Sequence, residues 1–470
     1  MRRALLVLVA CVAFLAGTGT ALGHPYITAS SPTAGATLDA APDRVTISFN
    51  ESVELLRSED LDVVDGSGAG ATSGPGALAS DKRVVEIPLR PGLPDGTYTV
   101  RYKVIGADSH VVPGLFVFGV GEAPGDPYFS GSGSGGPTET GPWGTSSRFL
   151  EIVALGGLIG LLAFRWLVWA PALRRARGVS GRERDTALAW GRDTFWMGFG
   201  VLAVGAMLAE GYLLLVQSSI VLGTGVLDTL GNATGISQVL GDTRFGSFVQ
   251  LRGGLLFALF AIGALQFIRE YGNQGSPKPP TEAGSRVAGL VMGALLLSVL
   301  GGIAAQGHAS VDSFPALQVG AQLVHVAAIS VWIAGLALVA LVHLRLPKIA
   351  PNGGPAAASA VLARFSKVAL VAVGLAVLTG VVRSLGELDD PAELWQTGFG
   401  RSILYKLALL CPIAFLAFYH RRIVTALRRV RRPNRPTLLL VRRMAEAELV
   451  LSLAIVVIAS VLVAQTPGAS

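Results

Sequence analysis

The sequence predicts an all-β domain joined to an all-α bundle of eight transmembrane helices. Residues 24–121 carry short alternating apolar runs separated by turn signals. Residues 148–470 carry eight apolar stretches, each near the ~20 residues a bilayer needs. Composition agrees: 51% of the 470 residues are hydrophobic and only 15% are charged, more apolar sequence than a soluble chain of this size buries.

The N-terminus reads as a secretory signal. Arg2 and Arg3 precede an apolar run, Ala4 to Ala16, that is too short to span a bilayer. Ala21-Leu22-Gly23 then places small residues at a cleavage site, giving a signal peptide of residues 1–23. Cleavage after Gly23 makes His24 the first residue of the mature chain; the alternative is an uncleaved anchor helix.

The β-domain follows from alternation in Val45-Thr46-Ile47-Ser48-Phe49, Val84-Val85-Glu86-Ile87, Tyr98-Thr99-Val100-Arg101-Tyr102 and Leu115-Phe116-Val117-Phe118. Asp65-Gly66, Pro94-Asp95-Gly96 and Pro113-Gly114 punctuate these runs. Short strands at this spacing indicate a β-sandwich or Greek-key barrel. Residues 122–147 are rich in Gly, Ser and Pro and predict a flexible linker.

The expected spans are 148–170, 194–217, 246–268, 286–306, 317–343, 362–383, 401–420 and 445–465, with 218–240 as an outer loop or interfacial helix. With the β-domain outside, the inner connections hold Arg174, Arg175, Arg177, Arg269, Lys278, Arg345, Lys348 and a basic run from Arg421 to Arg443. The outer connections are nearly free of Lys and Arg, and 384–400 is acidic. This bias places a multi-pass protein in the cell membrane with its N-terminal domain on the extracytoplasmic side. The net charge of +7 lies in these short loops, so the expected partner is the lipid bilayer and not nucleic acid.

Of the two cysteines, Cys11 lies in the leader and Cys411 in an expected span, so no disulfide is expected in the mature chain. The soluble region does hold a candidate metal-binding set. A mature N-terminal His24 would offer its α-amine and ring Nδ1 as a chelate. Asp108 and His110, an Asp-x-His on a turn, would add a carboxylate and a third nitrogen. Three nitrogens and one oxygen suit tetragonal Cu(II), which also leads the divalent affinity order. The region 24–147 has no Met or Cys, so Cu(I) should bind poorly; Zn(II), the main competitor, prefers tetrahedral sites.

The stretches His24-Pro25-Tyr26, Ile47-Ser48-Phe49-Asn50-Glu51-Ser52-Val53, Gly106-Ala107-Asp108-Ser109-His110-Val111-Val112-Pro113-Gly114 and Phe116-Val117-Phe118 resemble the CopC family of periplasmic copper-binding proteins. The resemblance implies a seven-stranded cupredoxin-like Greek-key barrel with copper as its bound ion. By it, His24, Asp108 and His110 are the Cu(II) ligands, and Glu51 falls at an acidic position close to them. Ser109 stands where the family usually has Gly, Gly106 where it often has Ser, and Pro25 where Ala is usual. The Met-rich Cu(I) site of some members is missing.

Ionisable groups inside spans are costly and are functional candidates by default. His325 lies roughly 12 Å into the fifth expected span. His308 ends the fourth, and Glu210 lies near the outer end of the second, on one helix face with Met207. His308, His325 and Glu210 are candidates for a copper path, with Met197, Met292 and Cys411 for a deeper Cu(I) route. His343 and His420 read as interfacial, and Glu446 and Glu448 as partners of Arg442 and Arg443.

Gly307-His308-Ala309, His325 with Trp332 and Gly335, Arg364-Phe365-Ser366, Thr379-Gly380 and the stretch from Arg401 to Lys406 resemble, in that order, the CopD family of copper membrane proteins. The fused halves resemble CopC–CopD fusion proteins, which implies capture of Cu(II) outside and copper import rather than catalysis. The alternatives are copper resistance by sequestration, delivery to cuproprotein assembly, or copper oxidoreductase chemistry. The sequence has no P-loop and no phosphorylation motif of a pump, so transport would be passive or gradient-driven.

Overall fold

The computed structural model describes residues 25–107, 109–128, 141–272, 282–307, 314–388, 390–427 and 435–462. The signal segment, His24, Asp108, His308 and linker residues 129–140 lie outside the described residues, as does the His420 side chain.

The N-terminal domain contains β1 (Ile27–Ser31), β2 (Thr37–Leu38), β3 (Arg44–Phe49), β4 (Leu61–Asp65), β5 (Ala77–Leu78), β6 (Val84–Pro88), β7 (Gly96–Ile105) and β8 (Val111–Val120). They form two four-stranded sheets, ordered β1-β3-β6-β5 and β2-β8-β7-β4. Only β5–β6 and β7–β8 are connected within one sheet; every other connection crosses, giving a Greek-key sandwich. Eight strands stand where the resemblance implies seven, and β2 and β5 are only two residues each.

The alternation read from the sequence puts Val45, Ile47 and Phe49 of β3 inside, with Thr46 and Ser48 toward the surface. Val45 pairs with Ile87 and Ile47 with Val85. These four side chains are fully buried and meet Val100 and Phe118 in one core. Each contributes about 1.5–3 kcal/mol by leaving water.

Both ends of the expected 122–147 segment are ordered. Gly125 N donates to Thr97 Oγ1 at 2.7 Å and Tyr128 N to Thr99 Oγ1 at 2.8 Å, which keeps residues 122–128 along β7. At its other end the first helix already starts at Pro142, whose missing N–H costs nothing in a first turn.

Eight helices among the described residues are long and apolar enough to cross a membrane. They are α1 (Pro142–Arg175), α2 (Gly181–Leu222), α5 (Arg244–Gly272), α6 (Glu282–Gln306), α7 (Pro315–Ile349), α8 (Gly354–Glu387), α10 (Gly398–Leu427) and α11 (Arg435–Leu462). Short helices α3 (Val226–Thr229), α4 (Ala233–Asp242) and α9 (Glu393–Gln396) lie between them. Large apolar side chains such as Leu208, Phe257 and Leu378 face outward, as a lipid-solvated bundle requires.

α1 and α7 pack closely through small residues. A Cβ on Gly160 would stand 2.3 Å from Ala334 Cβ and 2.6 Å from Ser330 O, so no larger side chain fits. α1 passes through a π-helical stretch at Phe164–Trp169. Arg364 of α8 donates from Nε to the Leu167 carbonyl within it at 2.9 Å, supplying a donor to the disturbed ladder. Its neighbour Phe365 lies against Gly335, where a Cβ would meet the ring at 2.3 Å. Two of the CopD-like cues are thus contacts between helices.

α2 opens with a capping box: Ser180 accepts from Glu183 N, and the Glu183 carboxylate accepts in return. Glu183 also accepts from the amides of Asn352 and Gly353, at 3.2 and 2.8 Å. Two of the expected basic connections therefore meet at one end of the bundle. At its 42 residues, α2 is about 63 Å long, roughly twice the ~30 Å hydrocarbon core. The far end of α2, with α4 and the start of α5, forms a seat on which the β-domain rests. This seat occupies the segment expected to be an outer loop or interfacial helix.

Candidate functional site

Three segments converge at one end of the β-domain. Tyr26 N donates to Asn50 Oδ1 at 2.8 Å and Asn50 N to Tyr26 O at 3.2 Å, tying the N-terminal segment beside Glu51. Glu54 and Ile105 exchange backbone hydrogen bonds of 2.8 and 2.9 Å, tying 51–54 to the end of β7. The β7–β8 hairpin closes on the turn 106–110, where Gly106 N donates to His110 O at 2.8 Å and Ser109 N to Gly106 O at 2.9 Å.

The described members of the candidate metal set are buried there, Glu51 at 1% exposure and His110 at 8%. Ser109 is buried beside His110 with φ 70°, a left-handed conformation that suits the glycine the resemblance leads one to expect. The turn is also contacted from outside the domain. Gln217 of α2 donates from Nε2 to Ser109 O at 3.2 Å, and Arg244 of α5 donates from Nη1 to Ala107 O.

The rest of this contact pairs charges with helix ends. Lys103 of β7 donates to Val221 O at 2.7 Å, at the C-terminus of α2, while also bridging Asp60 at 2.9 Å. Glu54 accepts from Arg244 N at 3.0 Å, at the N-terminus of α5. Burial pushes the Glu54 carboxyl up from its ordinary value of 4.5; the Arg244 amide and the Lys82 and Arg244 charges pull down less strongly. Ile105, Leu213, Val221, Val239, Phe245 and Val249 form the apolar centre of the contact.

Beneath the seat lies a buried polar network. Arg252, about 12 Å along α5 from Arg244, donates to both oxygens of Glu210, at 2.9 and 3.0 Å, and also to Gln306 Oε1. Glu151 of α1 is buried against Glu210 and Arg252, and its Oε1 has no donor among the described residues. Arg244 links the 106–110 turn to the end of α6, because its Nη2 donates at 2.9 Å to the carbonyl of Ala305, the residue before Gln306. The candidate Glu210 is therefore engaged by a guanidinium on another helix. Arg252 and Glu151 were missed in the sequence, although each is a charged residue inside an apolar window.

His325 sits deeper, between α7 and α8. Its Nδ1 lies 2.8 Å from Ala376 O and 3.1 Å from Thr379 Oγ1, whose hydroxyl is committed to Leu375 O at 2.6 Å. A carbonyl can only accept, so this geometry assigns a proton to Nδ1, and in the neutral ring Nε2 then keeps its lone pair. That is the tautomer a metal-ligating histidine takes when its other nitrogen is anchored. Gly380 makes room for it, since a Cβ there would stand 3.2 Å from the ring.

Other expectations need correcting. Met197 and Cys411 face the outside of the bundle, while Met292 is packed in the core with Leu155 and Leu296. They share no site. His343 is buried between helices, with Nδ1 2.8 Å from Val339 O. Arg442 does pair with Glu446, at 2.6 Å. Among the described residues no group of three or more His, Cys, Asp or Glu side chains could hold a metal ion. The three-residue set proposed from the sequence includes His24 and Asp108, which lie outside them.

A Greek-key sandwich seated by its 106–110 turn on one end of a bundle with eight helices long and apolar enough to cross a membrane defines a multi-pass membrane protein with a β-domain at one end. The model described as the CopC domain matches residues 27–121, and that described as Copper resistance protein D matches residues 359–462, beginning beyond His325. The chain is 26% identical over 412 residues to Copper transport protein CutJ of Bacillus subtilis (strain 168), covering 85% of this chain and 68% of that protein. It is 30% identical over 108 residues to Copper resistance protein C of Escherichia coli, covering 22% of this chain and 84% of that one. The crystal structure of CopC from Methylosinus trichosporium OB3b aligns at 25% identity and a TM-score of 0.19, over 23% of this chain and 100% of that chain. The chain belongs to the CopC family through its N-terminal domain and carries a CopD domain behind it, a CopC–CopD fusion related to copper transport and resistance.

Proposed function

We propose that the β-domain captures Cu(II) on the extracytoplasmic side through His24, Asp108 and His110 and passes it to the membrane domain for import. The observation that carries this reading is the seating of the turn bearing His110 on the end of the helix bundle. A cargo held in that turn has a short route to the bundle and need not diffuse away. Glu51, buried beside the segment of Tyr26 and Asn50, adds a carboxylate to the same end of the domain. Within the bundle, His308 and His325 receive copper. His325 is supported by its anchored Nδ1, which leaves Nε2 as a donor. Glu210 shapes the route through its pairing with Arg252.

Copper is cargo here, and the nitrogen and oxygen donors select the cupric ion. The signal sequence and the basic connections at the opposite end of the bundle from the seat support the orientation. The test is cellular copper content in a deletion strain complemented with wild type, His24→Ala and His325→Ala. Import requires low copper in the deletion strain, restored only by wild type. A second reading, tolerance by holding copper outside, is favoured by the matches to copper resistance proteins C and D. Raised copper in the deletion strain would establish tolerance and exclude import.

A further inference from the structure

We propose that Arg244 and Gln217 of the membrane domain are positioning residues for the 106–110 turn, so that the helix bundle helps to set the metal geometry of the β-domain. This rests on the reading of that turn as part of the copper site. Both residues donate to backbone carbonyls that flank position 108, Arg244 to Ala107 O and Gln217 to Ser109 O. A turn held at Ala107 and Ser109 restricts the backbone that leads into His110. Ser109 needs such support, because it holds a φ of 70° without being glycine.

The contact is specific in its charges. The negative end of α2 receives Lys103, and the positive end of α5 receives Glu54. Exchanging either charge would set it against a helix dipole, so the sandwich fits this seat in one orientation. Arg244 is the hub: its backbone takes Glu54, one guanidinium nitrogen takes the metal turn, and the other takes Ala305 at the end of α6. Ala305 adjoins Gln306, which is bound to Arg252, so a path of hydrogen bonds joined by one peptide link runs from the turn to Glu210. Movement of α5 or α6 is thereby transmitted to the loop that carries the ligands.

The experiment uses the full chain in lipid nanodiscs. Hydrogen exchange of the 105–111 segment is measured without copper. The Cu(II) electron paramagnetic resonance spectrum is recorded with one equivalent of the metal. The variants are Gln217→Ala, Arg244→Lys, the Arg244→Ala/Gln217→Ala double variant, and His110→Ala as a ligand control. The double variant should exchange the turn amides about tenfold faster, with smaller changes in Gln217→Ala and Arg244→Lys. Its cupric hyperfine splitting should also shift, a change that general loosening elsewhere in the bundle would not cause. Wild-type protection or an unshifted spectrum in the double variant overturns the proposal. If the double variant does not fold, Gln217→Ala and Arg244→Lys decide by the same two criteria. A wild-type chain that takes up no Cu(II), or a His110→Ala spectrum equal to wild type, instead removes the copper reading of the turn. The exchange data would then still decide whether the two residues position it.

Discussion

The β-domain and the helix bundle hold buried polar groups in opposite ways. In the β-domain, Glu51 and His110 are placed by the backbone: strand pairing, reciprocal bonds at Tyr26 and Asn50, and a closed turn. In the bundle, placement runs across helices through side chains, Glu210 by Arg252 and His325 by its own ring reaching the Ala376 carbonyl and Thr379. A site placed by strand pairing persists while its strands do, apart from the turn carbonyls that Gln217 and Arg244 hold. A side-chain-made site fails when one partner is removed, because the remaining group is left in a medium that cannot solvate it.

The sharpest test of that contrast is Arg252→Ala. Glu210 is left as a buried carboxylate without its guanidinium, at a cost of about 3–5 kcal/mol, read as a large drop in Tm in detergent. Combining Glu210→Leu with Arg252→Met should recover most of the loss. A drop under ~1 kcal/mol for Arg252→Ala would show that the pair is not desolvated and would break the comparison.

An intermediate effect is expected at Gly380. Alanine there crowds the His325 ring from 3.2 Å, at the edge where Nδ1 is held by Ala376 O. Gly380→Ala should lose about 1–2 kcal/mol and reduce copper uptake in cells. Gly374→Ala, on the same helix with nothing within 4 Å of its new Cβ, should hold or gain stability by up to about 1 kcal/mol. Equal behaviour of the two variants would mean that the ring moves freely.

The smallest effect concerns Glu54, where the two domains meet. Its raised carboxyl means that the folded chain holds this proton more tightly than the unfolded chain does. That contribution to stability is complete below 4.5 and is lost as pH rises through the raised value. Glu54→Gln keeps an acceptor for the Arg244 amide and discards the desolvated charge. Its Tm should vary less across that window, and above it should equal or exceed wild type by less than about 1 kcal/mol. A clear loss at neutral pH would show that the attraction to the α5 terminus outweighs desolvation.

The same contrast explains what could be read in the sequence. Val45 to Phe49 announce β3 because each residue's side is fixed by its own parity. The eight helices announce themselves by length and apolarity. Thr379-Gly380 was visible as a cue, but its use, seating His325 from 54 residues away, was not. The seat was hidden for a similar reason. Gln217 and Arg244 reach carbonyls 108 and 137 residues distant, and a backbone acceptor leaves no mark on residue identity. Arg252 was overlooked because one charge barely dents an apolar window, although that charge in that place implies a partner.

Lys103 and Glu54 give the fusion of the two halves a further meaning. A shortened chain beginning at Pro142 would expose the last carbonyls of α2 and the first amide of α5, because their covers are encoded ahead of the cut. Water, detergent headgroups or a separately supplied sandwich would have to take those places. The two halves of this polypeptide are thus not freely separable modules, and adding back the missing half should rescue the truncated one.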